Sequence, residues 1–178
     1  MIKFEKVEKY KDTTFPLPTR ATANSAGYDF VAVEDYVIPS LLCNSVHDTM
    51  ENFPYKTYSL EEIAEITKKT SIRPTLVSTG VKCIMPKDTY LEVSVRSSTP
   101  LKYLLVMANG VGVIDSDYAS NKTNDGEIFL QLLNLSPFPI QIKKGDRIGQ
   151  GIIKHYLTTD DDNATGEREG GMGSTSNE

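Results

Sequence analysis

Along Tyr90 to Ser97 the apolar residues Leu91, Val93 and Val95 alternate with Glu92, Ser94 and Arg96. A period of two predicts a half-buried strand with Arg96 on its polar face. Tyr28 to Ile38 is rich in Val, Tyr and Phe and stops at Pro39, while Leu76 to Met85 carries Thr79-Gly80 and stops at Pro86. Both read as strands bounded by turn residues. Glu127 to Leu135 is a denser apolar run, and Ile140 to Leu157 reads as two strands joined at Lys143-Lys144-Gly145-Asp146. Short strands at such close turn spacing predict an all-β fold, an antiparallel barrel or jelly roll.

Two segments depart from this rhythm. Within Ser40 to Pro74, Ser59-Leu60-Glu61-Glu62 has the capping-box pattern, in which Ser59 bonds the first-turn backbone and Glu62 reaches back. Leu60, Ile63, Ala64 and Thr67 follow at helical spacing, with Lys68 and Lys69 near the end where the helix dipole favours cations. A short surface helix inserted between two strands is expected. Thr158 to Glu178 holds Asp160-Asp161-Asp162, four glycines and, beyond Ala164 and Met172, almost nothing apolar. Such a segment buries too little surface to offset its ordering entropy, so mobility without a ligand is expected.

A chain of 178 residues holds one well-buried core and leaves little room for a second. The expected division is a β-barrel domain over 1–157, carrying the insertion 40–74, and a Gly-rich arm over 158–178. A net charge of -5 argues against duplex nucleic acid or anionic lipid as the main partner, because both require a basic footprint. The longest apolar run, Tyr103 to Ala108, is far short of the roughly 20 residues that span a bilayer, and MIKFEKVEKYK lacks an apolar signal core. No membrane association and a cytoplasmic location are therefore expected. Cys43 and Cys83 have no CxxC partner, and His47 and His155 lie far apart. Isolated thiols and imidazoles are favoured over a disulfide or a zinc site, and the HxE and PCxxC ligands of a zinc deaminase are missing.

Several polar clusters carry candidate chemistry. Arg96-Ser97-Ser98 offers a guanidinium fork and two hydroxyls suited to phosphate oxygens. Gly170-Gly171-Met172-Gly173-Ser174-Thr175 has the backbone freedom of a phosphate-cradling loop, without the Lys and following helix of a P-loop. Asn109 to Tyr118 runs from an apolar lead-in to Asp115, Asp117 and Tyr118, where a carboxylate could act as general base and a ring could pack on a planar substrate. Taken singly, each cluster is equally compatible with an ordinary turn or strand end.

Together they resemble the five motifs of the homotrimeric dUTP diphosphatases (dUTPases), in order and over nearly the full length. The matching stretches are Ala26 to Ala32, Arg96-Ser97-Ser98, Gly112 to Tyr118 with a delayed Gly126-Glu127-Ile128, Gly145 to Gln150, and the Gly-rich arm through Ser174-Thr175. Ser78-Thr79-Gly80 also falls between the first two. The details are similar to versions from Gram-positive bacteria and their phages.

The resemblance implies a homotrimeric jelly roll with active sites between subunits, converting dUTP and water to dUMP and diphosphate. Asp115 then orients and deprotonates the water that attacks the α-phosphorus. Mg2+ is the implied cofactor, held by the phosphates and waters with no direct protein ligand, Asp29 acting through a water. Arg96, Ser97, Ser98 and Gln150 contact phosphates, and Arg147 either joins them or pairs with a carboxylate. Uracil lies in a hairpin around Asn109, Gly112, Val113 and Ile114, read largely by backbone groups, and Tyr118 packs under the deoxyribose. The arm closes over a neighbouring subunit's site, with Arg168 reaching the γ-phosphate, Gly173, Ser174 and Thr175 the phosphate tail, and Met172 the uracil.

Three departures from the family pattern stand out. Met172 replaces the usual stacking aromatic, which is expected to cost roughly 1 kcal/mol of arm ordering. Arg168 lies one residue closer to that position than the commonest spacing, and Ala119 to Asp125 lengthens the connection after Tyr118, expected as an added surface loop. The insertion 40–74 has no part in the five motifs, and reads either as decoration or as a docking surface for a protein partner. Two other functions share some of these features. A dCTP deaminase relative has the same fold and Arg-Ser-Ser element, but Asp115, Tyr118 and the Gly-rich arm stand against it. A nucleotide-responsive regulatory protein that binds a partner is the reading from a different class.

Overall fold

The computed structural model describes residues 1–42, 59–62, 65, 73–168 and 170. Most of the insertion, together with Cys43, His47, Met172, Gly173, Ser174 and Thr175, lies outside the described residues. The strands in chain order are β1 (Lys3–Lys6), β2 (Thr19–Arg20), β3 (Tyr28–Val31), β4 (Tyr36–Ile38), β5 (Thr75–Ser78) and β6 (Val81–Ile84). They continue as β7 (Thr89–Ser94), β8 (Leu105–Met107), β9 (Gly112–Asp115), β10 (Phe129–Asn134), β11 (Ile140–Ile142) and β12 (Arg147–His155), and the short helix α1 (Ser98–Tyr103) lies between β7 and β8. Every strand pairing is antiparallel. The sheets run β2-β3-β12-β7-β9, β5-β10-β8, β1-β6 and β11-β4, and fold into the jelly roll that the strand pattern predicts.

One apolar cluster fills the space between sheets, with Phe30, Leu91, Val93, Ile128, Leu130 and Leu132 almost wholly buried. Leu91 and Val93 face inward from β7 as the alternation requires, while Glu92 and Ser94 do not. β12 packs so closely on this core that its glycines are structural. A Cβ on Gly149 would stand 2.2 Å from Leu130 Cδ2 and 2.8 Å from the Ser94 carbonyl oxygen. Burial pushes the Cys83 thiol up to about 11, so it remains protonated and inert inside the barrel.

The long apolar runs divide where contacts distant in sequence impose corners. Tyr28 to Ile38 splits into β3 and β4, which belong to different sheets. Between them the Asp35 carboxylate accepts the Lys144 N–H at 2.8 Å and the Lys143 ammonium at 2.9 Å, and Glu34 accepts the Tyr10 hydroxyl at 2.5 Å. The capping box forms as expected, with Glu62 accepting the Ser59 N–H at 2.9 Å and Ser59 Oγ the Glu62 N–H at 3.2 Å. α1 has no counterpart in the sequence expectations. Pro100 sits in its first turn, where the missing N–H has no intrahelical partner to lose, and Leu104 ends it in the left-handed region. Arg96-Ser97-Ser98 thus occupies a strand-to-helix corner.

Glu127 is the buried carboxyl of the barrel, 5% exposed, accepting the Ser78 hydroxyl and the Gly80 N–H. Burial raises it above the ordinary carboxylate range, against the lowering effect of those two bonds. The native state therefore holds this proton more tightly than the unfolded chain does. Its contribution to stability is full at low pH and is lost as pH rises from the ordinary carboxylate range through the raised native value. Glu127→Gln keeps an acceptor for both donors and removes the titration. Denaturant unfolding of both chains across that window is expected to show the variant gaining on the parent as pH rises; a constant difference would show that Glu127 titrates normally.

Candidate active site

The first group of functional side chains is assembled by β12 between β3 and β7. Gln150 faces Asp29 on one side and Ser94 on the other, which brings the ends of three motif-bearing strands to one rim. Asp29, with its side chain 15% exposed, receives Arg96 Nε on Oδ1 at 3.0 Å and Arg147 Nη1 on Oδ2 at 3.2 Å. Arg147 is thereby paired with a carboxylate. Its side chain is 55% exposed, so that ion pair adds little stability by itself. Arg96 is different, being half-buried, and its Nε bond orients the guanidinium while no described residue accepts from its Nη groups. Ser97 is exposed ahead of α1 and makes no capping bond, which leaves its hydroxyl uncommitted to the helix. Arg96, Ser98 and Arg147 border a cavity of about 320 Å3 whose other walls include Tyr103, Leu105, Leu132, Ile140 and Ile142.

A second group forms around β9. The turn at Asn109–Val111 is not a hairpin between its flanking strands, because β8 pairs with β10 and β9 pairs with β7. The turn carries the chain from one sheet to the other, closed by the Gly110 N–H on the Met107 carbonyl at 3.1 Å. β9 ends the five-stranded sheet, so one edge of its backbone is unpaired within that sheet. Asn109, Gly112, Val113, Ile114, Asp115 and Tyr118 all line one cavity of about 140 Å3, together with Phe129, Gln131 and Arg168. Tyr118 is 6% exposed and donates its hydroxyl to the Glu127 carbonyl at 3.1 Å.

Arg168 stands over this cavity on its own chain. Its Nη2 donates to Asp115 Oδ2, its Nε donates to Asp117 Oδ1 at 2.7 Å, and its Cζ lies 5.8 Å from the centre of the Tyr118 ring. The Arg168 side chain is 18% exposed, whereas the two carboxylates are 52% and 56% exposed. Lys87, Lys122 and Tyr156 line the adjoining cleft with Asp115, Asp117 and Glu167. The sequence pattern gives no signal for Lys87 or Lys122, since neither lies in a motif. The connection 119–125 is more than the expected surface loop, because Asn121 is 2% exposed and Gly126 is also buried.

The two groups lie apart on one chain. Asp115 faces Tyr90 across the β7–β9 ladder, and Arg96 follows six residues further along. At about 3.3 Å per residue the separation is on the order of 20 Å. A single phosphorus atom cannot touch both.

Comparison with known proteins gives a consistent picture. The family profile described as dUTPase matches residues 57–176. The deoxyuridine 5'-triphosphate nucleotidohydrolase of Lactococcus lactis is 35% identical over 174 residues, covering 97% of this chain and 95% of its own. The crystal structure of dUTPase from Streptococcus mutans has a TM-score of 0.67 at 32% identity, covering 88% of this chain and 98% of its own. The dUTPase of phage phi11 of S. aureus, in which a structural Mg(II) ion is coordinated, shares the fold with a TM-score of 0.61 at 15% identity, covering 92% and 96%.

Arg168→Ala removes both ion pairs that hold residue 168 to the barrel. With half-exposed carboxylates the melting temperature is expected to move by less than about 2 °C. Cleavage at the exposed Glu167 by a glutamate-specific protease is expected to accelerate several-fold, followed by mass spectrometry. Equal cleavage rates would show that the pairs do not hold the arm.

Proposed function

The chain belongs to the dUTPase family, and on that premise we propose that it hydrolyses dUTP by in-line attack of an Asp115-activated water on the α-phosphorus. The overall reaction, dUTP to dUMP and diphosphate, is that of a dUTP diphosphatase. Its service to the cell is to limit uracil incorporation into DNA and to supply dUMP. The observation that supports the reading best is the single cavity joining Asn109, Gly112, Val113, Ile114 and Tyr118 to Asp115. Base, sugar and reacting phosphorus can then be met by one continuous stretch of chain.

The chemistry follows from what each group can hold. Ionised Asp115 is an acceptor only, so it can align a water and take its proton as the new P–O bond forms and the bond to the bridging oxygen breaks. Charge accumulates on the departing diphosphate. Arg96, Ser97, Ser98 and Gln150 supply donors where that charge builds, and Asp29 holds the Arg96 fork in place through Nε. The outer edge of β9 offers fixed N–H and C=O groups that can match uracil and mismatch cytosine. Tyr118 closes the floor under the sugar, where a 2'-hydroxyl has no room.

Mg2+ fits this donor set as a substrate-held ion. Both oxygens of Asp29 are engaged by guanidinium groups, which leaves it to act through water, as suits a cation that keeps its hydration and prefers phosphate oxygens. When bound it neutralises triphosphate charge.

The separation of Asp115 from Arg96 within one chain supports a homotrimer whose sites lie between subunits. Arg168 then exchanges Asp115 and Asp117 for the γ-phosphate when nucleotide arrives, with Gly173, Ser174, Thr175 and Met172 closing behind it. The insertion 40–74 is left as a candidate surface for a protein partner.

Asp115→Asn is expected to remain folded and bind dUTP but to turn it over at least about a hundredfold more slowly. Diphosphate release measured across dUTP, dCTP, dTTP and UTP, with and without Mg2+, checks this. Near-normal turnover, or preference for another nucleotide, would overturn the assignment. Mixing subunits tests the shared site. Arg96→Ala and Asp115→Asn chains, each nearly inactive, are expected to regain about a quarter of wild-type activity after co-refolding, the share of random interfaces that joins two intact groups. No recovery would mean that each chain carries a complete site.

A further inference from the structure

The segment after Tyr118 wraps back around that residue and returns to it. The Asn121 N–H donates to the Tyr118 carbonyl at 3.0 Å, and the chain then turns through Thr123 and Asn124. Asn124 Nδ2 donates to the Tyr118 hydroxyl at 2.7 Å, while Asn124 Oδ1 accepts the Gly126 N–H at 3.1 Å. Gly126 has φ +71, and a Cβ there would stand 2.8 Å from the Tyr118 carbonyl oxygen and 2.7 Å from Ala119 Cα. The returning chain is therefore pressed against the backbone of Tyr118.

The far side of the loop is fastened to the barrel. Asp125 accepts the Lys82 ammonium at 2.6 Å and the Glu8 N–H at 2.7 Å. Those contacts hold its carboxyl below the usual range, Lys82 contributing most and Glu8 next. Asn124 is thus carried on a braced loop. The phenol oxygen it meets has one further bond, to the Glu127 carbonyl on β10's approach. A hydroxyl fixed by a side-chain donor and a backbone acceptor from separate residues cannot rotate or recede without breaking a bond.

We propose that Asn124 is a positioning residue for sugar discrimination: by donating to the Tyr118 hydroxyl it holds the ring at the depth that excludes a 2'-hydroxyl. The inference rests on the reading that Tyr118 packs under the deoxyribose. Asn124 touches no substrate in this scheme and acts only through the phenol. The lengthened connection 119–125 then contributes to specificity, through a residue outside the family motifs.

Asn124→Asp is the sharpest variant, because it keeps an acceptor for the Gly126 N–H and replaces the donor to Tyr118 by an acceptor that competes with the Glu127 carbonyl for the phenol proton. The test compares kcat/KM for dUTP and UTP in the full-length chain, Asn124→Asp, Asn124→Ala, Tyr118→Phe and the double variant Asn124→Asp/Tyr118→Phe. The dUTP/UTP ratio is expected to fall about fivefold in each Asn124 variant, mainly through a lower KM for UTP, with kcat on dUTP within about twofold of the parent. Tyr118→Phe is expected to lower the ratio similarly, and adding Asn124→Asp to it to lower the ratio no further, since the shared bond is already gone. Additive losses, or an unchanged ratio in Asn124→Asp with melting temperature preserved, would overturn the proposal, as would loss of folding in both Asn124 variants. Tyr118→Leu separates the two levels. If it leaves the ratio intact, the reading of Tyr118 as the sugar floor fails; if it collapses the ratio while Asn124→Asp does not, only the role of Asn124 fails.

Discussion

The antiparallel ladders that seat β12 between β3 and β7 fix where Asp29, Arg147 and Gln150 stand relative to one another. Gln150 must face Asp29 and Ser94 together, and a slip of one residue in either direction would turn its amide into the core and bring Gly149 or Gly151 to the rim. The register is secured by volume as much as by hydrogen bonds, because only a glycine at position 149 clears Leu130 and the Ser94 carbonyl. A bulge between Arg147 and Gly149 then aims Arg147 at Asp29. Packing and site geometry are in this sense one constraint.

Charge is organised around carboxylates that hold guanidinium groups ready. Asp29 carries Arg96 and Arg147 at one end of the sheet, and Asp115 with Asp117 carries Arg168 at the other. A chain of net charge -5 can in this way present cations to a polyphosphate at chosen points. Each guanidinium is held in place by a local carboxylate, in a geometry that a phosphate could equally accept. The two charged clusters stand at opposite ends of the sheet, which is the arrangement behind the proposal of a site shared between subunits.

Much of this was legible before any coordinates. The period of two over Leu91 and Val93 matches the inward face of β7, and six residues of the run Asn109 to Tyr118 line one cavity. The division of Tyr28 to Ile38 was not legible, because the corner depends on Lys143 and Lys144, more than a hundred residues on. α1 has no local signal, because Ser98-Thr99-Pro100 has the composition of a turn. The flanking strands of the Asn109 turn were expected to pair with each other, since proximity in sequence says nothing about which sheet each strand joins. The partners of Arg168 lie 51 and 53 residues upstream, beyond the reach of any local pattern. The burial of Asn121 and Gly126 follows from the same cause, a loop whose anchors are on β6 and near the N-terminal end.

The unpaired edge of β9 has a further consequence, for solubility. An unpaired edge can accept another strand, and Val113 on β9 and Val111 just before it stand exposed at 61% and 45%. Against that hazard β9 is only four residues long and runs directly into Asp115, Ser116 and Asp117. Two carboxylates at the end of a short strand repel a second copy adding in register. Apart from the role proposed for Asp115 in the reaction, the acidic pair thus acts as a gatekeeper against strand-by-strand aggregation.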